Sequence, residues 1–486
     1  MRLKQALFLD RMVNKLMNLL RSNTTTDYSW IPQHHTPHRY PQFAGKLLLR
    51  QEIPLSDEQI DHLVTSSVFT KVDSIEPHLW GHRCRRCGNK ASHLFGLMPH
   101  TSCKKECRYC RSCIQMGRVL ECEPLYVGSS YVSWTAHENP CAWQGKLTVY
   151  QQNAADQLVN LVEKGAGEKL VWAVCGAGKT EMLFPAITKA LETGKRVCLA
   201  TPRTDVVREL LPRFQKAFPE VRMQALYGDS PDKTGDAPLI LATTHQLLRY
   251  GRAFDVMIVD EVDAFPFHND ESLHYACKRA AKMDASIIYL TATPRKVQKK
   301  RMRKKELPVV FVPKRFHGHP LPVPQLKLTP TLHRFLKKGE LPPKLLKQIA
   351  EQQTSPRQLL LFLPSIKKAE EMALLLKGKG YTVEAVHAED IDRAEKIAAF
   401  RKKKYRVLVT TTILERGVTF PSVDVFVIDA GHGVFDEAAL VQIAGRAGRS
   451  HDDPTGNVHF YHIGKTDALL NAIESIEYMN RLGRNT

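Results

Sequence analysis

Short apolar runs alternate with amphipathic helical patterns along two long stretches of the chain. In the first stretch, from about residue 126 to 305, "KLVWAV" is followed by "KTEMLFPAITKALETG" and then by "RVCLATP". The second stretch begins near residue 355, where "RQLLLFLP" precedes "IKKAEEMALLLKGKG" and "TVEAVHA". Strand–helix alternation of this kind is typical of βαβ units that build a parallel sheet. The pattern therefore predicts an α/β protein with two lobes, each built on a parallel sheet.

The segments around these stretches complete the predicted domain organisation. Residues 1–75 carry no catalytic signal; they begin with "MRLKQALFLDRMVNKLMNLLRS", which lacks the cleavage site of a secretory signal. This run could form an amphipathic helix on a membrane or a partner, but a helix packed on its own protein is the preferred interpretation. A cysteine-rich module follows at 76–125 and lobe 1 at 126–305. A proline-rich linker at 306–345 then leads to lobe 2 at 346–486.

A glycine-rich turn follows the first strand of lobe 1 and reads A-x-x-x-x-G-K-T from Ala173. Gly176 and Gly178 let the backbone turn tightly enough to point N–H groups at phosphate oxygens, and the next helix adds its positive N-terminal end. Lys179 supplies a charge for the β- and γ-phosphates, and Thr180 a hydroxyl for Mg²⁺. Because a strand precedes the turn and a helix follows it, we predict a P-loop that binds ATP with Mg²⁺.

A second apolar strand, in "DVMIVDEVDAF", ends at the carboxylates of Asp260 and Glu261. A carboxylate at the end of a buried strand beside a P-loop can hold Mg²⁺ through water, and we assign this role to Asp260. Glu261 is placed to orient the attacking water as a base. The alternative, a solvated acidic turn, does not need the apolar "MIV" directly before it.

The cysteines are unevenly distributed along the chain. Six of the eleven lie between Cys84 and Cys113, which favours metal binding over disulfides in a chain without an export signal. Two CxxC pairs, Cys84 with Cys87 and Cys110 with Cys113, are separated by 22 residues. This spacing suits one tetrahedral Zn²⁺ with four thiolates, so we predict a zinc module ahead of lobe 1.

Two further features of the module leave alternatives open. Cys103 and Cys107 offer a competing set of ligands, and with Cys122 or His100 they could hold a second metal ion. The net charge of +20, from 70 basic and 50 acidic residues, favours a polyanion partner such as nucleic acid. Six basic or aromatic residues around the predicted metal site could bind a nucleic acid strand or could simply be solvated. They are Arg83, Arg85, Arg86, Arg108, Tyr109 and Arg111.

The P-loop and the "DEVD" run, together with several further motifs, resemble superfamily 2 helicases and translocases. In lobe 1, "LTVYQ" resembles the segment that contacts adenine, with Gln151 as the contacting residue. The runs "ATPRTDVV" and "TTHQLLR" resemble the motifs that contact the nucleic acid strand, and "TAT" resembles the motif that couples hydrolysis to movement. In lobe 2, "TTTILERGVTFP" resembles the fifth motif and "QIAGRAGRS" the sixth. The resemblance implies two RecA-like lobes with ATP in the cleft between them. It also implies that Gln442 lies in the nucleotide site and that Arg446 and Arg449 reach across to the γ-phosphate.

The position of the four-cysteine module directly ahead of lobe 1 narrows the resemblance to the ComFA family, the late-competence DNA translocases of transformable Firmicutes. The runs "CRRCGN", "YCRSC", "WAVCGAGKTEMLFP" and "DVMIVDEVDAFP" carry it. It implies an ATPase, stimulated by single-stranded DNA, that pulls the incoming strand through the uptake channel at the cytoplasmic face of the membrane. It also implies ComFC and other competence uptake proteins as partners, an oligomeric assembly, and peripheral membrane association through the uptake machinery.

Three other functions stay open at this point. One is a duplex-unwinding helicase for replication restart or repair that resembles PriA, although PriA-type proteins carry more cysteines, inserted in the second lobe. Another is a nucleic-acid-binding scaffold with an idle ATPase, against which the intact Lys179, Asp260, Glu261 and Arg449 argue. An RNA helicase is the third, because the motifs mostly touch the phosphate backbone that DNA and RNA share.

Overall fold

Three bodies follow one another in the computed structural model, which describes residues 28–32, 39–78 and 81–484. An N-terminal module of small antiparallel sheets precedes two lobes, each with a parallel sheet covered by helices. The α/β fold class, with two RecA-like lobes behind a four-cysteine module, is therefore confirmed. The N-terminal run considered above as an amphipathic helix lies outside the described residues. Within the described part of the chain, every helix is too short or too polar to cross a bilayer.

The described residues of the N-terminal module form one α-helix and three small sheets, in the orders β1-β8-β2, β3-β4 and β5-β6-β7, with antiparallel pairing throughout. The Ser56 side chain caps the helix by accepting a hydrogen bond from the Gln59 N–H, and Oε1 of the Gln59 side chain accepts one from the Ser56 N–H. The elements are β1 (Leu47–Leu48), α1 (Asp57–Thr65), β2 (Phe69–Asp73), β3 (Ile75–His78), β4 (Gly81–Cys84), β5 (Phe95–His100), β6 (Lys105–Cys110), β7 (Val119–Leu120) and β8 (Pro124–Gly128).

Lobe 1 has a seven-stranded parallel sheet in the order β11-β12-β10-β13-β14-β9-β15. Helices cover both faces, so the central strands β10 and β12 are buried at every position and read as continuous apolar runs. The elements are α2 (Val149–Lys164), β9 (Gly167–Ala173), α3 (Phe184–Glu192), β10 (Val197–Thr201), α4 (Thr204–Ala217), β11 (Met223–Leu226), β12 (Leu239–Thr243), β13 (Phe254–Val259), α5 (Glu271–Ala280), β14 (Ala281–Thr291), α6 (Lys296–Arg303) and β15 (Val309–Val312).

Lobe 2 has a six-stranded parallel sheet in the order β16-β21-β20-β17-β19-β18. Strands β17, β19 and β20 are fully buried in its centre. The elements are β16 (Gln325–Leu328), α7 (Leu332–Lys337), α8 (Pro343–Gln353), β17 (Gln358–Phe362), α9 (Ile366–Gly378), β18 (Val383–Val386), α10 (Arg393–Arg401), β19 (Val407–Thr410), β20 (Val423–Ile428), α11 (Glu437–Ala444), β21 (Val458–His462) and α12 (Asp467–Arg484).

The segment 306–345, predicted as a linker, contains strands of both lobes. Strand β15 pairs with β9 in lobe 1, and β16 pairs with β21 in lobe 2, so the chain crosses between the sheets over residues 313–324. Four prolines lie in this crossing, at positions 313, 320, 322 and 324. Proline cannot donate a hydrogen bond to a sheet ladder, which accounts for the gap between the two strands.

Candidate functional site

The glycine-rich turn lies at the carboxyl end of β9. Gly176 and Gly178 have φ angles of +80° and +69°, a backbone region that glycine adopts without strain. A Cβ added to Gly178 would lie 2.4 Å from Nε2 of Gln151. Ala173 is the last residue of β9 and is fully buried below the turn. The α-helix that follows the turn, α3, begins only at Phe184, after a 3-10 helix over Glu181–Leu183.

Gln151 supports this turn from the start of helix α2. Its side-chain Oε1 accepts a hydrogen bond from the N–H of Thr148, the N-cap residue, at 2.8 Å. Its Nε2 donates to the carbonyl of Ala177 at 2.8 Å. The amide group that the helicase resemblance assigns to adenine is thus engaged with the backbone of the glycine-rich turn.

Two carboxylates follow the carboxyl end of β13. Burial raises the pKa of Asp260 to about 6, against the opposing attraction of the Lys179 ammonium group. Glu261 has a φ angle of +52°, which is unusual for a residue with a side chain. Its Oε2 atom is buried and has no hydrogen-bond partner among the described residues. It forms an ion pair without a hydrogen bond with Nη1 of Arg416 in lobe 2, at 3.8 Å, so this oxygen keeps hydrogen-bonding capacity for a bound water.

Two arginines of lobe 2 follow helix α11. The buried Arg446 donates from Nε to the carbonyl of Glu415 at 2.9 Å, and Arg449 donates from Nε to the carbonyl of Gly445 at 3.0 Å. Neither guanidinium forms an ion pair with a carboxylate of the described residues. Burial lowers the pKa of both, and their mutual repulsion lowers that of Arg446 further. Two close cationic groups without a counterion favour binding of an anion.

A cavity of about 530 Å³ between the lobes brings these groups together. Cys175, in the glycine-rich turn, donates a hydrogen bond across the cleft to Oε1 of Gln442 at 2.9 Å. Phe316 adds a half-exposed aromatic ring to the wall. Every predicted nucleotide-site residue except Ala173 lines the cavity, namely Gln151, Gly176, Gly178, Lys179, Thr180, Asp260, Glu261, Gln442, Arg446 and Arg449.

The structure adds a buried bridge between the lobes that the sequence reasoning missed. Asp263, behind the two carboxylates, accepts a hydrogen bond from Nη2 of Arg416 in lobe 2 at 2.6 Å. Its other oxygen accepts from the Thr291 hydroxyl at 2.7 Å. The signal was present, because the three residues belong to the "DEVDAF", "TTTILERGVTFP" and "TAT" runs. The bridge thus joins three of the motifs through one pair of buried charges.

Arg315 was also missed, because it lies in the segment predicted as a linker. Its Nη1 donates to the carbonyl of Gly448 in lobe 2, and its side chain passes beside Gly176. Burial and the neighbouring Arg449 lower the pKa of Arg315 to about 10. No motif in the sequence marks this residue, which lies between the turn of lobe 1 and the arginines of lobe 2.

The four cysteines of the two CxxC pairs converge in the N-terminal module. All four are buried, and their sulfur atoms lie within 4.8 Å of one another. The Sγ atoms of Cys84 and Cys113 are 3.8 Å apart, and those of Cys87 and Cys110 are 3.5 Å apart. Thiolates that share one tetrahedral Zn²⁺ at about 2.3 Å lie about 3.8 Å from each other. The donor set and its spacing therefore fit a structural zinc ion.

The arginines around this cluster make contacts within the protein. Arg86 is fully buried and pairs with Glu52 at 2.7 Å, and Arg249, from the "TTHQLLR" motif of lobe 1, pairs with the same carboxylate at 2.6 Å. Arg85 and Arg108 pair with Glu76 and Glu121, both at 2.9 Å. Arg86 in particular holds the module against lobe 1 and is not exposed to a nucleic acid strand.

Comparison with known proteins places these features in a family. Three family models match: "Competence protein ComFA N-terminal domain" over residues 33–127, "Type III restriction enzyme, res subunit" over 144–296, and "Helicase conserved C-terminal domain" over 340–451. The chain is 44% identical over 435 residues to competence protein ComFA of Bacillus subtilis (strain 168), which covers 90% of this chain and 93% of that protein. It is 41% identical over 375 residues to competence protein ComFA of Streptococcus pneumoniae (strain ATCC BAA-255 / R6), and this match covers 77% of this chain and 86% of that protein.

A solved structure shares the two-lobe fold. S. cerevisiae Dbp5 bound to RNA and ADP BeF3 superimposes with a TM-score of 0.50 at 18% identity, over 68% of this chain and 87% of that one. At this identity the likeness concerns the arrangement of the lobes and not the substrate.

Proposed function

Because the chain belongs to the ComFA family and is a superfamily 2 helicase-like ATPase, we propose that it translocates single-stranded DNA during uptake of transforming DNA by competent bacteria. One observation carries the proposal: the glycine-rich turn, two carboxylates and two arginines that form no ion pair with the described residues meet in one cavity between the lobes. Nucleotide chemistry in such a cavity is coupled to the relative position of the lobes, which is what a motor requires.

The residues of the cavity fit ATP and Mg²⁺. Gly176 and Gly178 shape a turn that accommodates phosphates, and Lys179 neutralises their charge. Thr180 and Asp260 would hold Mg²⁺, which neutralises charge on the β- and γ-phosphates when bound. Both Gln151, through its contact with the turn, and Gln442, through Cys175, position the nucleotide site.

Hydrolysis and movement depend on groups from opposite sides of the cleft. Glu261, which lines the cavity, orients the attacking water and accepts its proton on the carboxylate. Arg446 and Arg449 stabilise charge that develops on the γ-phosphate. Loss of that phosphate removes the anion shared by the two lobes, so their closed arrangement is weakened and the lobes shift along the bound strand.

The family membership also supports the proposed partners. We expect single-stranded DNA, ComFC and other competence uptake proteins to bind the chain, and we expect it to act as an oligomer. Membership further supports a cytoplasmic position at the inner face of the membrane, with peripheral association through the uptake machinery. Zn²⁺ on Cys84, Cys87, Cys110 and Cys113 stabilises the N-terminal module in this proposal.

ATP hydrolysis by the purified protein tests the proposal. The rate is measured without nucleic acid and with single-stranded DNA, duplex DNA, forked duplex or RNA at one moderate salt concentration. We expect strong stimulation by single-stranded DNA and little by the others. Lys179→Ala should abolish turnover, whereas Lys189→Ala, which removes a surface lysine paired with Glu163, should leave it unchanged.

The alternative functions predict different results in the same assay. Stimulation mainly by forked duplex would favour a restart helicase, and stimulation mainly by RNA an RNA helicase. Turnover that no nucleic acid stimulates, or a Lys179→Ala variant with full DNA uptake, would favour the scaffold. Each of these results contradicts the proposed translocase.

A further inference from the structure

A second group of metal-ligating side chains lies at the other end of strand β6 from the four-cysteine cluster. The ligand atoms of His100, Cys103 and Cys122 all lie within 4.8 Å of one another. Nδ1 of His100 is 3.2 Å from Sγ of Cys122, and Sγ of Cys107 is 2.9 Å from the same sulfur. Two thiols and one imidazole thus converge, with the Cys107 thiol against that of Cys122, at a site that shares no residue with the first cluster.

The topology of the small β5-β6-β7 sheet brings these residues together. Strands β5 and β6 form a hairpin in which His100 pairs with Lys105, and Cys103 lies in the turn between them. Cys107 follows on β6. Beyond β7, the N–H of Cys122 donates to Sγ of Cys107 at 3.3 Å. Each ligand therefore comes from a different position on one compact hairpin and the strand beside it.

The orientation of His100 is fixed from its far side. Nε2 of His100 lies 3.5 Å from a carboxylate oxygen of Glu123, while Nδ1 points toward Cys122. A histidine that binds a metal through one nitrogen commonly donates the proton on the other to a carboxylate, which fixes the tautomer and the ring plane. Glu123 is the residue directly after Cys122, so the carboxylate and the thiol are delivered together.

We propose that His100, Cys103, Cys107 and Cys122 bind a second Zn²⁺ ion. A set of three thiolates and one imidazole is a standard tetrahedral environment for zinc and suits this borderline-soft cation. The ligand atoms of His100, Cys103 and Cys122 already lie close together. Cys107 completes the set if the distance between its sulfur and that of Cys122 increases from 2.9 Å to the roughly 3.8 Å that separates two thiolates on one zinc ion.

The second ion has a structural role that differs from that of the first. It ties the tip of the β5–β6 hairpin, where Lys104 and Lys105 are exposed, to the segment after β7. Cys122 is exposed and Cys103 partly so, whereas the four cysteines of the first cluster are buried. The second ion should therefore leave to a chelator faster than the first.

Zinc content of the full-length protein tests the inference. Elemental analysis of protein purified under reducing conditions should give two zinc ions per chain. His100→Ala and Cys103→Ser should each reduce this to one, and Cys141→Ser, which changes a cysteine outside both groups, should leave two. A colorimetric chelator should take up zinc from the unaltered protein in a fast phase, from the second site, and a slow phase, from the first. The His100→Ala variant should show the slow phase alone.

Measurements on the unaltered protein protect the test against variants that misfold. Zinc X-ray absorption should show sulfur ligands together with an imidazole, because only the second site contains histidine. A single zinc per chain with sulfur ligands alone would overturn the inference. Mass spectrometry of the native protein after alkylation provides a second check. A disulfide between Cys107 and Cys122 would also overturn the inference.

Discussion

Glu261 combines two unfavourable features in one residue. Its φ angle of +52° lies in the left-handed region, and its buried Oε2 has no hydrogen-bond partner among the described residues. The backbone conformation costs on the order of 1–3 kcal/mol, and the ion pair of Oε2 with Arg416 at 3.8 Å replaces the missing hydrogen bond only in part, so the surrounding structure must impose both features. Strain of this kind is concentrated where a side chain is held ready for a ligand, and here the carboxylate faces the cavity between the lobes.

The substitution Glu261→Gln should separate ATP binding from hydrolysis. Removal of the proposed base should lower kcat by about 10²–10⁴-fold, while affinity for ATP should remain within a few-fold because Lys179 and Thr180 are intact. Steady-state turnover and equilibrium binding of a fluorescent ATP analogue measure the two effects. Glu271→Gln, at the exposed start of α5, is the matched control and should change neither. A variant that hydrolyses ATP at the normal rate would exclude Glu261 as the base.

Residues of the cavity differ in how far the sequence predicts them. Lys179, Asp260 and Glu261 are recognisable because a strand, a tight turn and a helix place them by local geometry alone. Arg315 is not, because its position depends on where the crossing between the lobes passes. No local pattern specifies that its side chain ends at the Gly448 carbonyl.

At the scale of elements, four ion pairs among the described residues connect lobe 1 to lobe 2. Arg416 takes part in two of them, with Asp263 at 2.6 Å and with Glu261 at 3.8 Å. Asp263 and Arg416 form the buried pair, with 0% and 2% of their side chains exposed. Two further pairs, Arg295 with Asp436 at 2.7 Å and Lys299 with Glu437 at 2.9 Å, join the region of α6 to the start of α11 and are partly exposed. Because solvent screens the exposed pairs, the buried pair should dominate the coupling between the lobes.

Loss of Arg416 should be costly, because it leaves the carboxylate of Asp263 buried without a counterion. We expect Arg416→Gln to lower the free energy of unfolding by about 3–5 kcal/mol and to reduce stimulation of ATPase activity by DNA. Urea unfolding and stimulated turnover measure the two effects. In contrast, Lys299→Gln should cost at most about 1 kcal/mol. Equal destabilisation by both variants would show that burial does not set the strength of the bridge.

Prediction of elements from the sequence is limited by segment length. Alternating apolar runs identify the sheets of both lobes because each strand is followed by a helix. Strands β15 and β16 have only four residues each and lie between prolines and basic residues, so composition averaged over 306–345 indicates a linker. Their assignment needs the neighbouring strands β9 and β21, which are distant in sequence.

For the whole molecule, the decisive contact joins the N-terminal module to lobe 1. Arg279 of lobe 1 is fully buried and donates to the carbonyls of Arg86 in the module and of Leu248 in its own lobe. Glu52 lies between Arg86 and Arg249. The sequence identifies the four cysteines that cluster in the module, but it cannot show that Arg86 faces inward, because Glu52 is 34 residues away and the Leu248 carbonyl is 162 residues away.

Glu52 is therefore the residue through which the attachment of the module can be tested. Burial opposes its ionisation, but Arg86 and Arg249 outweigh this effect and lower its pKa. A lowered carboxyl pKa stabilises the folded state at neutral pH, and this stabilisation is lost as the pH falls below about 4. Glu52→Gln removes the charge at every pH and leaves the buried Arg86 without a counterion, so the module should detach or unfold before the lobes.

Limited proteolysis and thermal unfolding measure this effect. Glu52→Gln should cost about 3–5 kcal/mol in the module and speed cleavage between the module and lobe 1, while unstimulated ATPase activity is retained because the cavity lies between the lobes. Glu58→Gln, on the exposed face of α1, should leave both measurements unchanged. If Glu52→Gln resists proteolysis as the unaltered protein does, the buried arginines do not hold the module in place. The lobes and the module would then be independent units joined only by the chain.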